Sequence, residues 1–175
     1  KPIVSTSLVM TFVDSYDHPD AEQKKTGNWA EFYTPDATMW KVILSCNGSP
    51  VWGGYVTPDS YEEDLVYGGS VTIVARDNIG HLNDFPFDGA ANDYGMISFR
   101  ELLEDAWAKI ESPMSLLWAD EWLMCGEVSA TDTYINASAL EGKNWYESVE
   151  SILYSYGAAL RYKGGNEYIV CPLAS

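Results

Sequence analysis

Residues 144–171, NWYESVESILYSYGAALRYKGGNEYIVC, hold a helix, its stop and two short strands in one uninterrupted run. Asn144 and Glu147 have the spacing at which a cap side chain and a carboxylate three residues on satisfy each other's backbone donors. Val149, Ile152, Leu153 and Tyr156 then recur at three- and four-residue intervals, which puts them on one stripe of a helix over 145–156. Gly157 suits the left-handed position that ends such a helix. Beyond it, two alternating runs flank Gly164-Gly165, the pair that a two-residue hairpin turn with positive φ favours. A helix that leads into an antiparallel hairpin predicts an α+β fold.

Upstream, residues 98–111, SFRELLEDAWAKIE, repeat the construction. Ser98 and Glu101 have the cap spacing, Leu102, Leu103, Ala106, Trp107 and Ile110 form the stripe, and Pro113 stops the helix. The two capped helices, each followed by strand-like sequence, hint at two related α/β halves, though their identity is too low for a repeat. The N-terminal part reads as strands. IVSTSLVMTFVDS (3–15) is rich in β-formers and DSYDHPDAEQKKTGN (14–28) is a polar loop. ATMWKVILS (37–45) and VWGGYV (51–56) flank the Asn-Gly turn of CNGSP, a hairpin signal, and TPDSYEED (57–64) is loop. In residues 69–77, Val71, Ile73 and Ala75 alternate with Ser70, Thr72 and Val74, a strand with one face buried. MSLLWADEWLM and GEVSATDTYI read as strand and loop, with a helix as the alternative for the first, and INASALEG as a short helical turn.

Together these elements predict a mostly antiparallel sheet with two principal helices packed on it and a C-terminal β-hairpin. Residues 1–175 are expected to form a single α+β domain, a fragment of a longer protein, with a possible β-rich lobe over 1–90 and a helix-containing lobe over 91–175. Hydrophobic residues make up 46% of the chain, and seven Trp and twelve Tyr supply large groups that water would not solvate, which excludes a disordered chain.

The formal net charge is −16, and Lys24-Lys25 is the one adjacent basic pair. Phosphate backbones and anionic membranes are bound by clustered cations, so neither is an expected partner. Cys46, Cys125 and Cys171 are odd in number and far apart, which fits neither a disulfide framework nor a zinc site and leaves mostly unpaired buried thiols as the expectation. No apolar stretch is long enough for a membrane span.

The acidic turn at 77–95, DNIGHLNDFPFDGAANDYG, is the first place to look for chemistry. Asp77, Asp84, Asp88 and Asp93 are hard oxygen donors close in sequence. A helix-loop-helix calcium site needs donors at alternate positions, Gly sixth and Glu twelfth. Counting from Asp77 places Leu82 sixth, and counting from Asp84 places Pro86 third, so the pattern fails. The alternative is a corner in which Asp and Asn bond nearby backbone and Gly80 takes the awkward dihedrals. His81 and His18 lie far apart and share no metal-ligand spacing. Glu101, Glu104 and Asp105 on one helix, with Glu147 and Glu150 on the other, fall on polar faces where carboxylates are solvated, not where a glycosidase pair would sit. There is no GxSxG and no phosphate-loop spacing. Trp29, Trp40, Trp52, Trp118 and Trp122 are either core residues or, if exposed, a platform for sugar rings. Core packing is the ordinary expectation for Trp40 and Trp52, which alternate with apolar neighbours, and for Trp107.

Four phrases occur in a characteristic order. VWGGYVTPDSYEED precedes VTIVARDNIGHLNDFPF, the capped helix ISFRELLEDAWAKI follows, and NWYESVESILYSYGAALRYKGGNEYIV comes last. This order resembles that of phage and prophage tail proteins of gut Bacteroidetes, in which W-x-G-Y-x-x-P-D precedes A-x-D-x-(L/I)-G-x-L, and a late Y-x-x-(L/V)-x-x-I-L leads into G-A-x-L. The matching residues are Trp52, Gly54, Tyr55, Pro58, Asp59, Ala75, Asp77, Gly80, Leu82, Tyr146, Ile152, Leu153, Gly157, Ala158 and Leu160. Asn78-Ile79 stands where Gly-Leu is usual.

The resemblance implies a structural role in the virion, as a baseplate or tail-hub-like component made in the bacterial cytoplasm, assembled as a ring with copies of itself and other tail proteins. It carries over no catalytic, cofactor-binding or metal-binding residue, and none is expected. The rival expectations are a carbohydrate-binding module that uses exposed Trp and Tyr, and a cell-wall hydrolase with a facing carboxylate pair.

Overall fold

A computed structural model of the chain describes residues 1–13, 32, 35–58, 60, 62–63, 70–89, 95–119, 122–124 and 128–173. In chain order it runs β1 (Ser7–Val13), β2 (Lys41–Cys46), β3 (Ser49–Val56), β4 (Glu62–Glu63), β5 (Ser70–Arg76) and a 3-10 turn over Ile79–Asp84. Then come β6 (Met96–Ser98), α1 (Phe99–Lys109), β7 (Ser115–Trp118), β8 (Leu123–Met124), β9 (Val128–Ser129) and β10 (Tyr134–Asn136). The chain finishes with α2 (Trp145–Ser155), β11 (Ala158–Gly164) and β12 (Glu167–Pro172). The fold is α+β and mostly antiparallel.

The first sheet has the order β1-β5-β3-β2, with the short β4 also on β5. Directly paired residues share a face, so the register sorts the sheet into two. Val71, Ile73 and Ala75 of β5 are buried with Val56 of β3, as the alternation in 69–77 predicts. The β2–β3 hairpin turns at Asn47 and Gly48, with φ of 50° and 81°, the geometry that an Asn-Gly pair supplies. Gly54 is needed for a different reason: a Cβ there would lie 2.3 Å from the Arg76 carbonyl oxygen and 2.5 Å from the Trp52 ring.

The second sheet, β11-β12-β7, joins the C-terminal hairpin to a parallel neighbour, β7. Its turn falls one residue later than the sequence predicts. Gly164 pairs with Glu167, and the left-handed residues of the turn are Gly165 and Asn166, at φ 62° and 66°. The register shifts between Tyr162 and Gly164, so Lys163 is the extra residue that moves the turn.

Both helices have the predicted caps. Ser98 with Glu101, and Asn144 with Glu147, form complete capping boxes, and Gly157 follows α2 at φ 58°. The expected stripes face the core, except that Trp107 and Tyr156 are only partly buried. The stripe of α1 begins earlier than the sequence pattern, at fully buried Phe99, whose ring stacks on Tyr156 at 4.5 Å and meets Trp118 and Trp122 edge-on. One core cluster takes in Ile3, Trp52, Ala75, Ile79 and Leu82 together with Leu102, Leu153, Leu160 and Val170. Each Ile, Leu or Val side chain among them stabilises the fold by about 1.5–3 kcal/mol when fully buried.

Candidate functional site

The corner after β5 is where the two sheets meet. Asp77 is 1% exposed, and its carboxylate accepts hydrogen bonds from the Thr6 backbone N–H, from Thr6 Oγ1 at 3.0 Å, from the Tyr168 hydroxyl, and from Ile79 N–H at 3.2 Å. Thr6 Oγ1 in turn accepts from Trp52 Nε1 at 2.9 Å. Burial, followed by the adjacent Asp77 charge, pushes the Tyr168 phenol far above its ordinary value, so it stays protonated as a donor. Asp77 therefore bonds local backbone as expected, through Ile79, but most of its donors come from distant segments. The left-handed conformation belongs to Asn78 at φ 68°, not to Gly80, whose position would leave an added Cβ in open space. Asn is the residue other than Gly that most readily adopts it. Asn78 Nδ2 also donates to the Ile110 carbonyl at 3.2 Å, which closes the end of α1.

Outside this network lies a cleft of about 490 Å³, whose walls include Ser7, Tyr55, Thr57, Arg76, Asp77 and His81. The Asp77 acceptors are already engaged. The Tyr55 hydroxyl donates to the Glu111 carbonyl at 3.0 Å, and burial followed by the Glu111 charge raises its pKa. His81 Nε2 lies 3.2 Å from Asp84, and its ring meets Phe85 edge-on at 5.8 Å. Cross-strand register sets Lys41, Tyr55, Arg76 and Ser7 in one row on one face of the sheet. Lys41 and Arg76 are exposed, and neither has a carboxylate partner among the described residues.

The remaining candidates do not converge. Asp84 pairs with His81, and Asp88 accepts from Lys109 and, at 2.8 Å, from Trp145 Nε1; Lys109 foremost, then Trp145, hold the Asp88 carboxyl below its ordinary value. Asp93, His18 and Trp29 lie outside the described residues. Among the described residues no group of three or more His, Cys, Asp or Glu side chains could hold a metal ion. Glu101 and Glu147 serve their capping boxes, Glu104 lies 3.6 Å from Arg100, Asp105 is exposed and Glu150 is half-buried. Cys46 is exposed and Cys171 half-buried, both free thiols; Cys125 is outside the described residues. Trp52 is 6% exposed and belongs to the core, as packing predicts, while Trp40, Trp118 and Trp122 are half-buried.

No protein-family model matches the chain. No curated protein matches it in sequence. Among solved structures, it is similar to the prophage MuSo2 43 kDa tail protein from Shewanella oneidensis, at TM-score 0.49 and 15% identity over 95% of this chain and 43% of that one. It is also similar to prophage tail protein gp18 from Listeria monocytogenes EGD-e, at TM-score 0.42 and 14% identity over 75% of this chain and 39% of that one. Both neighbours are prophage tail proteins. The chain spans less than half the length of each. No helix among the described residues is long and apolar enough to cross a membrane.

Proposed function

We propose that the chain is a non-catalytic structural module of a phage tail, at the baseplate or tail hub, that associates with further copies of itself and with other tail proteins. The observation that carries this reading is the use made of the motif residues. Trp52, Gly54, Tyr55 and Asp77, which bear the resemblance to tail proteins of gut Bacteroidetes, go into close backbone approach, core packing and a satisfied hydrogen-bond network. A catalytic carboxylate needs a free lone pair facing substrate, whereas Asp77 Oδ2 accepts from Thr6 and Tyr168 and Oδ1 from the Ile79 backbone N–H.

Association is supported at the other side of the first sheet. β2 ends the strand order, and the outer edge of Lys41–Cys46 has no strand partner among the described residues. Ile43 and Leu44 on it are 51% and 43% exposed, where an isolated monomer would ordinarily carry charge.

Sedimentation velocity over a concentration series tests the reading. The chain is expected to self-associate, and the Ile43→Lys/Leu44→Lys double variant to remain monomeric with an unchanged far-ultraviolet circular dichroism spectrum. A wild-type chain that stays monomeric throughout, or that releases fragments from peptidoglycan, would overturn it.

A further inference from the structure

The longest stretch of the chain without an acid is residues 37–58, between Asp36 and Asp59. It holds the whole β2–β3 hairpin, and Lys41 is its single charged residue, in a chain with 26 acids and a net charge of −16. Exposed acids lie elsewhere, among them Asp84 and Asp88 after β5, Glu104 and Asp105 on α1, Glu141 before α2 and Glu147 on it. The hairpin is also uncovered. Lys41 and residues 43–50 are all exposed. Ile43 and Leu44 are neighbours in a strand, so their side chains point to opposite faces of the sheet. Both are exposed, and at that point the chain's own packing hides neither face of β2. An edge strand that stays single is ordinarily guarded by charge along its length. Here one Lys stands at its start and apolar groups fill its middle.

We infer that this hairpin is the contact between copies and that ionic screening controls it, holding copies apart at low ionic strength and letting them join as salt rises. The inference rests on the assembly reading and adds the regulation of that contact. Two bodies of net charge −16 repel over the screening length, which is about 30 Å in 10 mM salt and about 8 Å in 150 mM salt. At the longer length the acids on the helices of both copies act across the contact. At the shorter length the charges inside the contact decide, and there the sequence places one Lys and no acid. A second copy is the partner that fits, because it presents the same apolar, acid-free strand. A basic partner would find no carboxylate on the hairpin, and an acidic one would set its charges against Ile43 and Leu44. An interface held by ion pairs would behave in the opposite way, weakening as salt screens it.

Sedimentation velocity at matched protein concentrations in about 10 mM and about 150 mM sodium chloride tests the inference. The dissociation constant is expected to fall about tenfold or more at the higher salt. The variant Glu104→Gln/Asp105→Asn/Glu141→Gln removes charge from exposed side chains of α1 and of the turn before α2, and none from the hairpin. It is expected to associate more tightly than the parent at about 10 mM and nearly alike at about 150 mM. Ile43→Ser/Leu44→Ser, which leaves the net charge as it is, is expected to lose association at both salts with an unchanged far-ultraviolet circular dichroism spectrum.

Association that is indifferent to salt or weakens with it would overturn this inference and leave the self-association reading standing. The same holds if the charge-reduced variant matches the parent at low salt, since a salt effect on apolar burial alone would not respond to acids on the helices. A chain that stays monomeric at both salts would remove both readings.

Discussion

Removing the Asp77 carboxylate, itself 1% exposed, strips acceptors from the Thr6 backbone N–H, the Thr6 hydroxyl and the buried Tyr168 hydroxyl at once. Hydrogen bonds to a charged group contribute about 1.5–3 kcal/mol each, so Asp77→Ala is expected to lower unfolding stability by at least about 3 kcal/mol, and Tyr168→Phe by about 1.5–3 kcal/mol. Gly80→Ala, at a position with open space and no left-handed φ, is expected to stay within about 1 kcal/mol of the parent in the same urea titration. A loss at Gly80 equal to that at Asp77 would contradict this account of the corner. That Asp77 shapes a corner is legible from its place between an alternating strand and a Gly-containing turn. Its partners are not, because Thr6 and Tyr168 lie 71 and 91 residues away and no local pattern links them. The exchange of roles between Gly80 and Asn78 has the same origin: either residue tolerates the left-handed region, and the Ile110 carbonyl, reachable only in the folded chain, favours Asn78.

The helices were the most legible elements, since cap spacing and stripe are local properties and both capping boxes form where the residues predict. The Glu101 carboxyl is held below its ordinary value by the Ser98 hydroxyl, then by the Ser98 backbone N–H. A depressed folded-state pKa gives stability that is present above the unfolded value, about 4.3 for Glu, and is lost as pH falls through the folded one. Glu101→Gln keeps the box acceptor but does not titrate there. Its stability is therefore expected to fall less steeply than that of the parent below about pH 4.3, as read from melting temperatures across that range; parallel acid limbs would refute the assignment. The C-terminal hairpin was legible in existence but not in register. Asn166 N–H donates to the Val51 carbonyl and Asn166 Nδ2 to the Pro113 carbonyl, both at 3.0 Å, so contacts with other elements hold it in the turn. A Gly-Gly pair alone carries no sign of that preference.

Across the molecule, the α+β class was legible because helix and strand periods are distinct in sequence, whereas the way the first sheet joins the second was not. Their junction is made by side chains on Thr6, Trp52, Asp77 and Tyr168 and by the bonds that Asn166 N–H and the Tyr162 hydroxyl donate to the Val51 carbonyl. The core cluster crosses the division between residues 90 and 91, with Trp52 and Ile79 in contact with the same body as Leu102 and Leu153. We therefore expect the whole chain to unfold in one transition, and the piece 91–175 alone to give a circular dichroism melt without a cooperative step. A cooperative melt of that piece would instead establish two separable lobes. The cleft was the least legible feature of all, since Ser7, Tyr55 and Arg76 in its walls are aligned only by strand register.

The segment before β1 has one more consequence. Ile3 bridges Leu160, Val4 N–H donates to the Leu160 carbonyl at 3.1 Å, and Leu160 N–H donates back to the Pro2 carbonyl at 2.6 Å. During synthesis on the ribosome, residues 2–6 emerge long before β11 and β12 exist to receive them. Their apolar side chains must wait in an unfinished polypeptide while more than 150 further residues are added. Such late-closing topology makes the nascent chain, not the finished protein, the species most exposed to mispairing with its neighbours.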